Sequence, residues 1–176
     1  MNKTKLIGAM LLMMGVTGSA LAQNGFYAGA SIGQATIDGC SGITNCDDED
    51  TAWKLFGGWE MNQNIAFEAA WVDMGEISGS IGASAVSAEA SGWTLAVKGI
   101  LPLNEQFSLF AKFGFIDWKI EGGGALSGVD KDGTDLMYGL GAQYMFTDQF
   151  GIFGEWEWYD IDDDVDLLSI GVLFKF

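Results

Sequence analysis

The sequence predicts an all-β protein, an eight-stranded antiparallel up-and-down transmembrane β-barrel. Eight stretches of the chain alternate apolar residues with polar or small ones, which is the two-residue period of a strand with one apolar face. The connections between these stretches alternate between short and long, as in bacterial membrane barrels. Beyond the first 22 residues, no apolar run approaches the ~20 residues of a membrane-spanning helix. A barrel is therefore the predicted way to cross lipid, because its closed sheet hydrogen-bonds every backbone group.

The first 22 residues are predicted to be a secretory signal peptide. A basic start is followed by an apolar run over 6–16 and by the small-residue cleavage site Ala20-Leu21-Ala22. The barrel domain is then expected to occupy residues 23–176. An anchoring helix is the alternative, and it is less favoured because the apolar run is short and is followed by small residues.

The candidate strands are separated by two kinds of connection. The strands are predicted over 26–37, 51–60, 65–75, 92–101, 107–121, 135–146, 150–159 and 165–176. Short polar turns are predicted at 61–64, 102–106 and 147–149, and long loops at 38–50, 76–91 and 122–134. In bacterial barrels the short turns face the periplasm and the long loops face the exterior, so both ends of the barrel domain are expected in the periplasm.

The two parities of each strand predict two different faces. One parity is almost wholly apolar or aromatic, with aromatic residues near the strand ends, where they form girdles at the membrane interfaces. The other parity collects glycines and polar or charged residues, which suits the inward face of a narrow barrel. A soluble barrel of the lipocalin type would place the apolar parity inside. The pattern therefore favours a membrane protein.

The last strand carries a pattern of its own. Ser169, Gly171, Phe174 and Phe176 stand at the polar, glycine and aromatic positions of a motif that resembles the β-signal of outer-membrane barrels. That resemblance implies recognition by the barrel assembly machinery during biogenesis. The alternative is an ordinary terminal strand of a soluble β-sandwich.

Four other stretches carry a family resemblance. They read NGFYAGA over 24–30, FGGW over 56–59, IAFE over 65–68 and LAVK over 95–98. Together with the last strand, they resemble the transmembrane domain of the outer-membrane protein A-like family of small barrels. The resemblance implies a protein of the bacterial outer membrane, surrounded by lipid and lipopolysaccharide, with an inward ionic cluster. Because the sequence stops at Phe176, the peptidoglycan-binding periplasmic domain and its tethering role are not expected.

Inward charges form the most informative group of residues. Glu68, Lys98, Lys112 and Glu155 each lie about four to six residues from the nearest short turn, which predicts one layer at the middle of the membrane. Charges at that depth must be paired. The favoured interpretation is a polar plug, because eight strands enclose little more than side chains. A gate or a proton path is the alternative.

The loops contain two cysteines and two acidic runs. Cys40 and Cys46 are predicted to form a disulfide in an exported protein, with a metal-binding or redox pair as the alternative. The acidic runs fall at 47–50 and 160–166. Such runs are usually solvated, and the alternative is weak sharing of Ca²⁺ or Mg²⁺ with lipopolysaccharide. No dedicated metal site is predicted.

Composition excludes several classes of function. The chain has 8 Lys, no Arg, no His and 24 acids, for a net charge of −16. Without the predicted signal peptide and its two lysines, six lysines face 24 acids, for a charge of −18. Such a chain does not bind nucleic acid through phosphate contacts, and it lacks the imidazole of most hydrolytic sites.

The predicted function is therefore structural or surface-interacting, with a plugged lumen, an unidentified extracellular ligand, no cofactor and no enzymatic activity. The alternative is a small porin-like channel for ions or small solutes. A lipid-modifying enzyme is a third and weaker hypothesis, because Ser31 and Ser169 have no visible base.

Overall fold

The computed structural model describes residues 25–37, 44–47, 49–81, 84–124, 130–161 and 165–176. Among these residues, no helix is long and apolar enough to cross a membrane. The predicted signal peptide, Cys40 and the side chain of Cys46 lie outside the described part of the chain. The cleavage site and the disulfide therefore stay predictions.

The described residues form nine strands. They are β1 (Phe26–Ile37), β2 (Thr44–Asp47), β3 (Glu49–Asn62), β4 (Ile65–Ile81), β5 (Ser84–Pro102), β6 (Phe107–Gly124), β7 (Asp130–Met145), β8 (Phe150–Tyr159) and β9 (Val165–Lys175). Eight of them form the barrel wall, and the short β2 pairs with the far end of β4.

The barrel closes by antiparallel pairing between neighbours all the way round. Consecutive wall strands pair with each other, and β1 pairs with β3 on one side and with β9 on the other. At the closing seam, Tyr27 stands opposite Lys175, and the backbone N–H of Phe176 donates to the carbonyl of Phe26 at 3.0 Å. The predicted eight-stranded antiparallel barrel is thus confirmed.

The predicted long loops at 38–50 and 122–134 are partly strand, and the one at 76–91 is almost wholly an extension of the sheet. Residues 76–91 were expected to form a long loop, but β4 and β5 continue pairing through them, with Ile77 opposite Ala88 and Gly79 opposite Val86. The register shifts between Asp73 and Glu76, and Gly75 there has φ of +82°. A glycine adopts this left-handed conformation without strain. The resulting bulge changes the direction of the strand, and the pairing resumes beyond it.

The outward face of the wall is apolar. Large exposed side chains cover it, for example Leu95, Phe113 and Trp93, and aromatic pairs stack on it near both ends. Trp59 stacks on Phe67 near the short turns, with ring centroids 6.2 Å apart. Apolar side chains that stay exposed on a closed sheet are the pattern of a lipid-facing surface.

The interior is more apolar than the sequence interpretation stated. The prediction stressed inward glycines and polar residues, whereas two clusters of buried apolar side chains fill the barrel toward its two ends. Phe56, Phe110 and Phe153 pack together in one of them, with centroids 5.3 Å apart for Phe56 and Phe153. The glycines of the neighbouring strands leave the room that these rings occupy, since a Cβ on Gly29 or Gly141 would collide with a ring.

Candidate functional site

Three layers of side chains follow one another along the barrel axis. We call the cluster nearer the short turns the lower apolar layer, the cluster nearer the long loops the upper apolar layer, and the charged group between them the ionic layer. The lower layer is Tyr27, Phe56, Ala66, Ala70, Ile100, Phe110, Met145, Phe153 and Leu173. The upper layer is Ala35, Ala52, Val72, Met74, Ala90, Ala96, Ile116, Trp118, Met137, Tyr159, Ile161, Val165 and Leu167. The ionic layer is Lys54, Glu68, Lys98, Lys112, Glu155 and Glu157.

Lys112 on β6 is the central cation of the ionic layer. Its Nζ donates to Oε1 of Glu68 at 2.6 Å and to Oε2 of Glu155 at 2.6 Å. A longer contact of 3.5 Å reaches Oε1 of Glu157. One ammonium group therefore joins strands on opposite parts of the wall, because β4 and β8 supply its carboxylates.

Lys54 on β3 completes the pairing on the side of β8. Its Nζ donates to Glu155 and, at 2.5 Å, to Oε2 of Glu157. The hydroxyl of Tyr159 also donates to Oε2 of Glu157, at 2.9 Å. The Oγ of Ser169 lies 3.5 Å from Oε1 of Glu155. Both carboxylates of β8 thus receive several donors, which is the arrangement that stabilises buried charge.

Lys98 on β5 has a different environment. Its Nζ lies 3.9 Å from Oε2 of Glu68, and that oxygen accepts a hydrogen bond of 2.8 Å from the hydroxyl of Tyr27. The same Nζ stands 4.1 Å from the centroid of Phe110 and 5.4 Å from that of Tyr27. Lys98 is therefore held by one distant carboxylate and two ring faces, a weaker set of contacts than that of Lys112.

The ionic layer is balanced and buried. It contains three lysines and three glutamates, and none of the six residues is more than 6% exposed. Desolvation of six charges costs several kcal/mol each, and mutual pairing offsets this only when the geometry is good. The contacts above supply that geometry for every carboxylate. Because the numbers of lysines and glutamates are equal, the formal charge of the layer is zero.

All four residues that the sequence placed in one layer lie there, namely Glu68, Lys98, Lys112 and Glu155. Sequence reasoning omitted Lys54 and Glu157, although both have the inward parity. It measured depth by counting residues from the nearest short turn, whereas strand tilt shifts the register from one strand to the next. Pairing each inward acid with each inward lysine would have found both residues.

The residues of the predicted assembly signal lie on both faces of β9. Ser169 is buried beside the ionic layer, and Gly171 is packed under the ring of Phe153. Phe174 is exposed on the outside, and its ring meets that of Phe176 edge to face at 5.3 Å. Recognition of these residues by the assembly machinery stays a prediction.

Other chemistry in the described residues is sparse. No group of three or more His, Cys, Asp or Glu side chains that could hold a metal ion occurs among them. The Oγ of Ser31 is buried without a hydrogen-bond partner in the described interior. A hydroxyl without a base beside it is not activated as a nucleophile.

Comparison with known families identifies the chain. Residues 8–176 match the family described as the outer membrane protein beta-barrel domain. The chain belongs to this family. Over its whole length, it is 27% identical to outer membrane protein A of Yersinia pseudotuberculosis and 24% identical to that of Escherichia coli O157:H7. It spans about half the length of these curated relatives, 56% and 55% respectively.

Solved structures of small β-barrels have the same fold as this chain. Ail of Yersinia pestis superposes with a TM-score of 0.58 at 20% identity, covering 87% of this chain and 99% of that one. Neisserial surface protein A superposes with a TM-score of 0.60 at 15% identity, covering 86% and 97%. The family and the curated relatives are named as outer-membrane proteins, and the protein is located in the bacterial outer membrane. The predicted family and localisation are confirmed.

Proposed function

We propose that this protein is a non-conducting barrel with a structural or surface-interacting role in the outer membrane. Its lumen is plugged, its exterior loops are acidic, and it has no enzymatic activity. Lipid and lipopolysaccharide surround it, and the barrel assembly machinery inserts it. The proposal of a closed lumen rests on the order of the layers, because a layer of paired charges lies between two apolar layers.

Two physical effects support a closed lumen. An ion or a water-filled path would have to pass the aromatic rings of the lower layer, which pack edge to face with one another. It would then have to break contacts of 2.5 to 2.6 Å within the ionic layer. Breaking a buried pair costs about 3–5 kcal/mol, so the open state should be rare.

Planar-bilayer recordings test the plug. The unmodified barrel should show little stable conductance, whereas Phe110→Ala should raise it, because it opens the lower layer and removes the ring that Lys98 contacts in the ionic layer. Phe113→Ala is the matched control, because Phe110 is 4% exposed inside and Phe113 is 57% exposed outside on the same strand. Large and stable conductance from the unmodified barrel would overturn the proposal.

The ionic layer itself favours a second candidate, a small channel. Six charged side chains inside a barrel are a polar path if their pairs exchange partners. In that case the open state should depend on Lys98, the lysine with the fewest close carboxylates. Conductance of the unmodified protein that Lys98→Met abolishes would favour this candidate over the plug.

The surface role is supported by how the charges are distributed. Beyond the predicted signal peptide, three of the 24 acids and three of the six lysines neutralise each other in the ionic layer, which leaves 21 acids and three lysines elsewhere. One of these three, Lys175, contacts Glu60 at 2.6 Å near the short turns. The exterior is therefore strongly acidic, which suits a cationic ligand or shared divalent cations.

The negative charge of the exterior predicts a different ligand from that of one structural neighbour. Ail was crystallised with a heparin analogue, sucrose octasulfate, which is a polyanion. Because like charges repel, the present protein should not bind heparin-coated resin, but should bind polylysine-coated resin in a salt-sensitive way. Salt-sensitive retention on heparin would contradict the proposed surface chemistry.

A further inference from the structure

We infer that a notch in the lipid-facing wall holds one acyl chain of a phospholipid, so that the barrel carries a bound lipid in addition to its ordinary lipid shell. A cleft of about 960 Å³ opens on the outside of β1 and β3 to β6. Its volume lies at the upper end of the range of small-molecule sites, about 300–1,000 Å³.

Register explains why the wall is notched at this place. The outward positions of one rung, read across neighbouring strands, are Ala28, Gly57 and Ala69, three small residues in a row. Gly57 is the cross-strand partner of both alanines. On these three strands no long side chain of the rung covers the backbone, so a shallow floor remains, and the rung continues into Leu95 on β5 and Phe174 on β9.

Both sides of the floor are built from large residues. Nearer the short turns, the next outward rung is Phe26, Trp59 and Phe67, in which the rings of Trp59 and Phe67 stack at an angle of 14°. On the side of β5 and β6, Leu95 and Phe115 line the cleft. A trough with aromatic walls and a flat apolar floor fits a flexible hydrocarbon chain.

The position of the notch favours a phospholipid. Phe26 begins β1 and Phe67 lies near the start of β4, so the notch is in the half of the wall next to the short turns. Short turns face the periplasm, which places the notch in the periplasmic leaflet. The notch is also continuous with the exposed apolar surface of Leu95, so a chain can enter it directly from the bilayer.

A phospholipid gains apolar contact in the notch that it lacks elsewhere on the wall. The acyl chain is surrounded by hydrocarbon in either place, so the gain comes from closer van der Waals packing against the walls and floor and not from removal from water. A leucine at Gly57 would fill the trough. The structure gives it room, because the nearest atom to a Cβ there is the carbonyl oxygen of Tyr27 at 3.8 Å.

Native mass spectrometry of the protein extracted from membranes tests the inference, after exchange into a delipidating detergent. The unmodified protein should retain one phospholipid mass, and Gly57→Leu should reduce the retained fraction about tenfold, because it removes the packing contacts of the floor. Gly154→Leu is the matched control and should retain the lipid. Gly154 is also an exposed outward glycine, its Cβ would meet only the carbonyl oxygen of Ser169 at 3.9 Å, and it does not line the notch.

Equal retention by Gly57→Leu would overturn the inference, as would a dimer mass that only this substitution abolishes, since a second copy would then occupy the notch. If Gly57→Leu does not fold, as judged by heat-modifiable gel migration, photolabelling of the unmodified protein by a lipid tests the site instead. A phosphatidylethanolamine with a mid-chain diazirine, reconstituted in nanodiscs, should label peptides of β3 and β4 more than those of β8. Even labelling around the barrel would contradict the site.

Discussion

The ammonium group of Lys112 on β6 lies 2.6 Å from the carboxylate of Glu155 on β8, across the intervening strand β7. Two glycines of β7 lie beside this contact, since Gly139 stands opposite Lys112 and Gly141 stands opposite Glu155. A Cβ on Gly139 would press on Glu157 of the ionic layer, and a Cβ on Gly141 would collide with the ring of Phe110. The free energy of unfolding of the barrel should therefore depend both on the ion pairs and on the space that the glycines of β7 leave for the side chains around them.

Loss of Lys112 should cost more than loss of Lys98. Lys112→Met leaves Glu68 and Glu155 without their 2.6 Å partner, and we expect a loss of about 3–5 kcal/mol in the free energy of unfolding. Lys98→Met removes one contact of 3.9 Å and a cation–π contact, and we expect a loss of about 2 kcal/mol. Urea unfolding in lipid vesicles, followed by tryptophan fluorescence, measures both. Equal losses would contradict the assigned pairing.

Lys54 and Glu157 should be energetically coupled. Each single substitution, Lys54→Met or Glu157→Gln, leaves a net charge in the ionic layer, whereas the double variant restores its neutrality. A double-mutant cycle should give a coupling energy between about 0.5 and 3 kcal/mol. Lys119 and Glu121 provide the control, because their contact is also short, at 2.6 Å, but their side chains are 55% and 59% exposed. Their coupling should stay below about 1 kcal/mol, and a larger value than that of the buried pair would contradict the burial argument.

Much of the wall was predictable from sequence because a strand has a strict period of two. Outward positions such as Leu95 and Phe113 and inward positions such as Lys112 follow from parity alone. The closed fold follows as well, since eight apolar strands in lipid admit no free edge. The extension of β4 and β5 was missed because serines and glycines in 76–91 read as a loop.

The interior was predicted less completely, because its contacts depend on register. Lys54 and Glu157 meet only once the tilt of the barrel has set the relative heights of β3 and β8, which a count along each strand does not give. The notch depends on register in the same way. Ala28, Gly57 and Ala69 lie far apart in the sequence and become neighbours only through strand pairing.

The terminal aromatic residue should matter for assembly more than for packing. Phe176→Ser should lower the folded population in the outer membrane several-fold while export continues, if the last strand is read as a signal. Phe146→Ser is the control, because Phe146 is also an exposed aromatic residue near the short turns, at 52% exposure. Heat-modifiable migration of membrane fractions measures the folded population. Unchanged levels of the Phe176 variant, or equal losses in both variants, would argue against a signal role.

Gly139 should be intolerant of even one added methyl group. A Cβ at this position would lie 2.9 Å from Cγ of Glu157 and 3.1 Å from the carbonyl oxygen of Trp156, so Gly139→Ala must displace part of the ionic layer. Overpacking of this kind costs about 1–3 kcal/mol. Gly154→Ala is the matched control on the outward face, where the nearest atom would be 3.9 Å away, and its stability should be unchanged or higher by about 0.4–1 kcal/mol. Urea unfolding of both variants in lipid vesicles measures the difference. If Gly139→Ala is as stable as Gly154→Ala, then the missing side chain at Gly139 is not what leaves room for Glu157 in the ionic layer.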